Sequence, residues 1–158
     1  MDLAQLKRVV DLAGSYHDEA ARCAGAMAYY AACLMIGCAL EVALLATAVL
    51  CEKDLRELGR WPRIKPPPER WTLSQLTALA RQAGWPPALG SGQPRDLSEA
   101  EVGDAVEFVR WLRDLAAHPG RHIREGRAIY LGEVAYRNAY RVLTAVFDVT
   151  YKVMQSLD

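Results

Sequence analysis

The sequence has no excess of charge of either sign, because 19 lysine and arginine residues are balanced by 19 aspartate and glutamate residues. No overall field therefore draws the chain to nucleic acid or to a membrane, and a polyanion would have to be held by a local patch. The sequence also contains no metal-ligand spacing, no phosphate-binding glycine loop and no nucleophile elbow. We therefore expect neither a metal nor a cofactor.

Cysteine is scarce, and its spacing indicates no chemistry. Cys23, Cys33, Cys38 and Cys51 lie in one hydrophobic stretch, and their separations match no zinc or redox motif. We expect small buried residues with free thiols, as in the reducing cytoplasm. The predicted location is accordingly cytoplasmic.

Sustained strand alternation and internal repeats are absent, so the chain is predicted to be all-α. Its 158 residues favour a single domain over residues 1–158, built as an up-and-down bundle of four to five helices. The predicted helices are about Asp2–Cys23, Gly25–Leu58, Thr72–Gly84, Ser98–His118 and Leu131–Ser156. Thr72–Gln75 and Ser98–Glu101 are the capping boxes, and Arg63–Pro68 is predicted to be a polyproline-like linker.

One apolar run raises the question of a membrane. Between Ala24 and Leu50 the only charged residue is Glu41, and the run is long enough to span a bilayer. A transmembrane helix is therefore one alternative. A central helix buried by its neighbours is preferred, because a carboxylate inside a membrane is costly. We expect no membrane association.

The last predicted helix has two apolar stripes. One contains Leu131, Ala135, Val142, Ala145, Val149 and Val153, and the other contains Tyr136, Tyr140, Phe147, Tyr151 and Met154. The core would cover one stripe. The second is covered either by a partner subunit or by the rest of the bundle.

The most informative segment runs from Arg113 to Pro119, where an arginine precedes a histidine by five residues and a proline ends the helix. At about 100° per residue, Arg113 falls inside the apolar stripe of its helix, whereas Arg110 and Asp114 point away from it. A charge on a buried face is costly unless it is paired or used. Arg113 is therefore a candidate functional residue.

His118 lies at the C-terminus of that helix, where the helix dipole favours the protonated imidazole. A guanidinium that holds phosphate oxygens and an imidazole that moves a proton suit phosphodiester chemistry without a metal. The alternative is structural: Arg113 pairs with a buried carboxylate such as Glu41, and His118 caps its own helix. His17, in a polar patch of the first helix, is expected to be solvated.

The Arg-x4-His pattern followed by proline, late in an all-helical domain, resembles the HEPN superfamily (higher eukaryotes and prokaryotes nucleotide-binding). The stretch Ala39–Leu44 on the long upstream helix and the segment Trp71–Leu73 are also similar to bacterial HEPN-like proteins. The resemblance extends from about Ala20 to the end of the sequence.

This resemblance implies a HEPN-like bundle that forms a homodimer with the Arg-His motifs facing each other. Many members are metal-independent endoribonucleases, in which the ribose 2′-hydroxyl attacks the adjacent phosphate. His118 would be the general acid or base and Arg113 would stabilise the phosphate. Asp114 takes the position of a polar residue, often asparagine, and completes the catalytic set. The protein would be a toxin or defence component restrained by a cognate antitoxin or another regulatory protein.

Two basic clusters are candidates for RNA contacts. Arg121, His122, Arg124 and Arg127 follow the motif directly and form the predicted RNA-binding rim, which Arg137 and Arg141 would extend. Six basic residues between Lys53 and Arg70 outnumber three acidic ones. The alternative for such clusters is a solvated face. A non-catalytic nucleotide-binding, protein-interaction or dimerisation module on the same fold is the competing functional hypothesis.

Overall fold

A computed structural model describes residues 1, 3–63, 66–83, 99–118 and 132–155. These residues form six α-helices and one short 3₁₀ helix at Pro68–Arg70, and no strand occurs among them. The helices are α1 Leu3–Gly25, α2 Tyr29–Leu50, α3 Glu52–Glu57, α4 Leu73–Ala83, α5 Glu99–Ala117 and α6 Glu133–Gln155. The predicted all-α class is confirmed, and the described chain is a helical bundle.

Helix α2 is the centre of the bundle. It packs against α1, α4, α5 and α6, and its largest buried side chains are Ile36, Leu40 and Leu44. In the part of the chain that the structure describes, α2 is the one helix long and apolar enough to cross a membrane, but more than half of that span is buried inside the bundle. Such burial is typical of a core helix, the interpretation that the sequence favours.

The predicted continuous helix from Gly25 to Leu58 is wrong at both ends. Met27 adopts a positive φ of 58° in the turn between α1 and α2, so α2 begins only at Tyr29. At the other end the helix breaks at Cys51, and the short helix α3, none of whose residues is buried, follows. The break coincides with the change from an apolar to a charged sequence, although Leu55 of α3 still packs against the core.

The capping box at the start of α4 is confirmed. The backbone N–H of Gln75 donates to Thr72 Oγ1 at 3.3 Å, and the backbone N–H of Thr72 donates to Gln75 Oε1 at 2.8 Å. These reciprocal bonds satisfy two donors at a helix N-terminus. The second predicted capping box begins at Ser98, which lies outside the described residues.

In the first stripe of α6, Val142 and Ala145 are buried in the core and Ala135 is partly buried. Leu131 and the side chains of Val149 and Val153 lie outside the described residues. Helix α1 contributes to covering the second stripe. Tyr140 and Phe147 are partly buried, with ring centroids 4.9 Å and 5.8 Å from that of His17 on α1. His17, which the sequence predicts to be solvated, is only partly exposed, because its ring packs against these aromatic side chains. Tyr151 of the second stripe remains 62% exposed.

A buried pair of hydroxyl groups joins α2 to α6. Thr47 Oγ1 and Thr150 Oγ1 lie 2.8 Å apart, and each is also within hydrogen-bond distance of the carbonyl four residues earlier on its own helix. Each hydroxyl has a single proton, so one of them donates to the other while the second donates to a backbone carbonyl, and both buried oxygen atoms have a partner.

Candidate functional site

Arg113 lies at the margin of the buried face of α5. Val109, Leu112 and Leu115 on the same helix are buried, whereas the side chain of Arg113 is 30% exposed. The stem of the arginine thus enters the bundle while part of its guanidinium reaches solvent. This arrangement is usual for a long charged side chain at the edge of a core.

The stem of Arg113 packs directly on the backbone of Gly37. A Cβ atom added at Gly37 would overlap Cβ and Cγ of Arg113 and would lie 3.4 Å from its Cα. Only glycine therefore permits α2 and α5 to approach this closely. The sequence analysis missed this contact, although an isolated glycine in a helical pattern often has a packing reason.

The guanidinium of Arg113 has two carboxylate partners at long distances. Nη2 donates to Glu41 Oε2 at 3.3 Å, and Nη1 donates to Asp114 Oδ1 at 3.4 Å. Charge-assisted hydrogen bonds between nitrogen and oxygen are commonly about 2.7–2.9 Å long. The buried Nε has no hydrogen-bond partner among the described residues. The pairing with Glu41 that the structural alternative predicts is therefore present, but it leaves donors of Arg113 incompletely used.

Asp114 connects two arginines. Arg110 Nη1 donates to Asp114 Oδ2 at 3.3 Å and also lies 3.3 Å from Ser74 Oγ at the start of α4. What we call the Arg113 cluster consists of Arg110, Arg113, Glu41 and Asp114, which carry two positive and two negative formal charges. The spacing of four residues between Arg110 and Asp114 was the signal for this pair, because such residues are neighbours on a helix.

Cys38 lies beside the Arg113 cluster as a half-buried thiol. Burial raises the pKa of Cys38, and the positive charge of Arg113 partly opposes this effect. Burial also raises the pKa of Cys33, to about 11. All four cysteines are free, and these two are held in the protonated, weakly nucleophilic form at neutral pH.

His118 is exposed immediately after the end of α5. Its backbone N–H donates to the carbonyl of Asp114 at 2.9 Å, which continues the helical hydrogen bonds. Five residues of helix separate it from Arg113, which corresponds to a rise of about 7.5 Å and a rotation of about 140°. Within the described ranges no side-chain contact joins His118 to Arg113, so one chain does not bring the two predicted catalytic side chains together.

The predicted RNA-binding rim lies outside the described residues, since Arg121, His122, Arg124 and Arg127 all fall between residues 118 and 132. Its proposed extension on α6 is exposed: Arg137 forms an ion pair with Glu133, and Arg141 lies one turn further along.

The described residues contain no group of three or more histidine, cysteine, aspartate or glutamate side chains that could hold a metal ion. Among the described residues, the polar groups available for chemistry near the C-terminal end of α5 are the Arg113 cluster and the exposed imidazole of His118. In comparisons with protein-family models, curated proteins and solved structures, nothing matches this chain.

Proposed function

We propose that this chain is a metal-independent endoribonuclease of the HEPN type, which acts in the cytoplasm as a homodimer. The observation that carries the proposal is the state of the Arg113 guanidinium: it is partly exposed, and its Nη contacts with Glu41 and Asp114 are long. An arginine in this state has donors left for a phosphate. The Arg-x4-His resemblance gives that phosphate a chemical context.

In the proposed reaction, the 2′-hydroxyl of a ribose loses its proton and its oxygen attacks the adjacent phosphorus. The bond from phosphorus to the 5′ oxygen breaks, and that oxygen takes up a proton. The products are a 2′,3′-cyclic phosphate and a 5′-hydroxyl. His118 acts as the general acid or base, and Arg113 donates to the non-bridging oxygens as negative charge develops on them.

A homodimer provides a physical route for the two groups to meet. Because Arg113 and His118 leave α5 in directions about 140° apart, a phosphate between two facing motifs is more easily reached by both groups than one bound to a single chain. A HEPN-like arrangement of the bundle would supply such a pair of motifs. A toxin or defence role, with an antitoxin or regulatory protein that blocks the motif, belongs to the same proposal.

The test is cleavage of a mixed single-stranded RNA in the presence of EDTA by the wild type and three variants. We expect cleavage by the wild type, and rates about 10²–10⁴-fold lower for His118→Ala and about 10²–10³-fold lower for Arg113→Ala. Arg22→Ala, which removes an exposed arginine paired with Glu19 on α1, is the matched control and should cleave like the wild type. Unchanged cleavage by His118→Ala in a folded protein would refute the nuclease assignment.

A second candidate function is a non-catalytic nucleotide-binding or protein-interaction module. The contacts that Glu41 and Asp114 make with the guanidinium favour the protein-interaction module, because a phosphate would have to displace these carboxylates. The variant Glu41→Gln separates the two functions. This variant should bind a nucleotide or RNA more tightly than the wild type if either is the ligand. Its rate of RNA cleavage should differ from that of the wild type only if the protein is a nuclease.

A further inference from the structure

A cleft outside the Arg113 cluster is lined by tryptophan and proline. It has a volume of about 360 Å³ and lies between α3 and the segment that leads into α4. The rings of Trp61 and Trp71 form one wall, with centroids 5.2 Å apart. Trp71 is buried, and its indole N–H donates to the carbonyl of Pro66 at 2.7 Å, which fixes the proline wall against the bundle.

Trp61 also borders a second cleft. That cleft has a volume of about 420 Å³ and is lined by Arg56, Gly59, Trp61, Pro62 and Arg63. The guanidinium of Arg56 lies 5.0 Å from the centroid of the Trp61 ring and is paired with Glu52. A partly exposed indole with concave surface on two sides and an arginine over its ring is thus presented to solvent.

The second cleft favours the phosphate of an anionic occupant, because its charged lining residues are Arg56 and Arg63, whereas the first cleft is also lined by Glu52 and Glu69. The segment from residue 52 to residue 70 contains six basic and four acidic residues, although the whole chain is neutral. Arg60, Arg63 and Arg70 are exposed. Aromatic rings combined with arginines are the usual platform for single-stranded nucleic acid, because every base has a stacking face and every nucleotide carries a phosphate.

Residues that line the first cleft, which we call the tryptophan cleft, lie close along the chain to residues that contact the Arg113 cluster. Ser74 follows Trp71 by three residues, and its hydroxyl lies 3.3 Å from Arg110 Nη1, which in turn bonds to Asp114. Along α2, Val49 lines the cleft and Glu41 contacts Arg113. These two residues are separated by about 12 Å of helical rise, a distance that a strand of a few nucleotides can span.

We propose that the tryptophan cleft binds a base of single-stranded RNA by stacking on Trp61, with Arg56 and Arg63 contacting the adjoining phosphates. This inference rests on the proposed function for the identity of the ligand. It adds a second RNA contact surface, which would hold the strand a few nucleotides from the Arg113 cluster.

The test measures binding of a labelled single strand of about 12 adenosines, a length within the range that one binding domain covers. All riboses are 2′-O-methylated, so that binding is measured without cleavage. Trp61→Ala should weaken binding about tenfold or more, whereas Trp61→Phe should retain most of it. Leu58→Ala, which removes an exposed apolar side chain from the same turn but lines neither cleft, should bind like the wild type.

A salt titration provides a readout that a structural role of Trp61 would not change. Loss of one phosphate contact in Arg63→Gln should reduce the slope of log K against log salt concentration by about 0.7. This result decides the proposal if Trp61→Ala fails to fold, which circular dichroism will show. An unchanged slope together with wild-type binding by Trp61→Phe and Trp61→Ala would overturn it.

The failure of this inference can be told apart from the failure of the proposed nuclease. If RNA is cleaved but its binding does not depend on Trp61, only the proposal for the cleft is refuted. If RNA binding depends on Trp61 but ordinary RNA is not cleaved, the nuclease proposal is refuted and the proposal for the cleft is supported. Absence of RNA binding by the wild type overturns the cleft, as does Trp61-dependent binding of a proline-rich peptide in place of RNA.

Discussion

The contact between Gly37 and Arg113 makes a sharp prediction about stability. In Gly37→Ala, the new Cβ would lie more than about 1 Å closer to the root of the Arg113 side chain than ordinary van der Waals contact allows. Helices α2 and α5 must therefore move apart. Overpacking costs about 1–3 kcal/mol, and the upper part of this range applies because the overlap is not at a flexible end. Replacing a helical glycine by alanine returns about 1 kcal/mol.

The expected net effect of Gly37→Ala is a loss of about 2 kcal/mol in the free energy of unfolding, or about 6 °C in Tm for a chain of this size. Urea unfolding followed by circular dichroism measures it. Gly14→Ala is the matched control, because Gly14 lies in α1 with nothing within 4 Å of an added Cβ. This control should be as stable as the wild type or more stable by up to about 1 kcal/mol.

The comparison of these two variants tests whether α2 and α5 approach each other closely at Arg113. If Gly37→Ala is as stable as Gly14→Ala, the close approach of α2 and α5 at Arg113 is refuted. If the approach is real, Gly37→Ala should also shift Arg113 away from Glu41. Cleavage should then fall about 10²-fold, the loss expected from a misplacement of about 1 Å in a catalytic group.

Three further predictions concern the buried hydroxyl pair, the cap of α4 and a buried thiol. Thr47→Val should cost about 1 kcal/mol, whereas Thr47→Val combined with Thr150→Val should cost less than the sum of the single changes, because no buried hydroxyl is then left without its partner; additive losses in urea unfolding would contradict this. Thr72→Ala should cost about 1 kcal/mol through loss of the cap, and Thr72→Ser should restore most of it in thermal unfolding; equal stability of all three proteins would refute the cap. Cys33 should react with iodoacetamide at pH 8 far more slowly in the folded protein than in urea, because burial raises its pKa to about 11. The free energy of unfolding should also fall as pH rises from 9 to 11, where only the unfolded thiol ionises. Equal alkylation rates, or no such fall relative to Cys33→Ala, would exclude this effect.

Local patterns in the sequence correctly predicted the all-α class and the cap of α4. The capping box at Thr72 and Gln75 forms as expected, since its hydrogen bonds depend on only four consecutive residues. The apolar run around Leu40 becomes the buried central helix, since a helix that is apolar on most sides must be covered by its neighbours.

The parts that sequence reasoning missed depend on how two helices cross. Angular spacing identifies the side of α5 that carries Arg113, but it does not specify which residue of α2 lies opposite. The answer, Gly37, is determined by the tertiary packing of the bundle. The same limit applies to Trp61 and Trp71, whose ring contact joins two segments on either side of a proline-rich connection.

The break at Cys51 shows a second kind of limit. Residues from Glu52 to Glu57 are good helix formers, so intrinsic propensity predicts that α2 continues through them. The structure instead ends α2 at Leu50 and starts a separate helix, none of whose residues is buried. Tertiary context therefore decides where the long helix stops, as it often does when propensity is a weak guide.

The most direct test of the central claim is an analysis of the RNA ends that the wild-type protein produces in EDTA. One RNA and its fully 2′-O-methylated counterpart are incubated with the protein, and the 3′ ends of the fragments are identified. If Arg113 and His118 promote attack by the 2′-hydroxyl, only the unmodified RNA is cut and its fragments end in 2′,3′-cyclic phosphate. Cleavage of the methylated RNA, fragments with 3′-hydroxyl ends, or no cleavage of either strand would contradict the account.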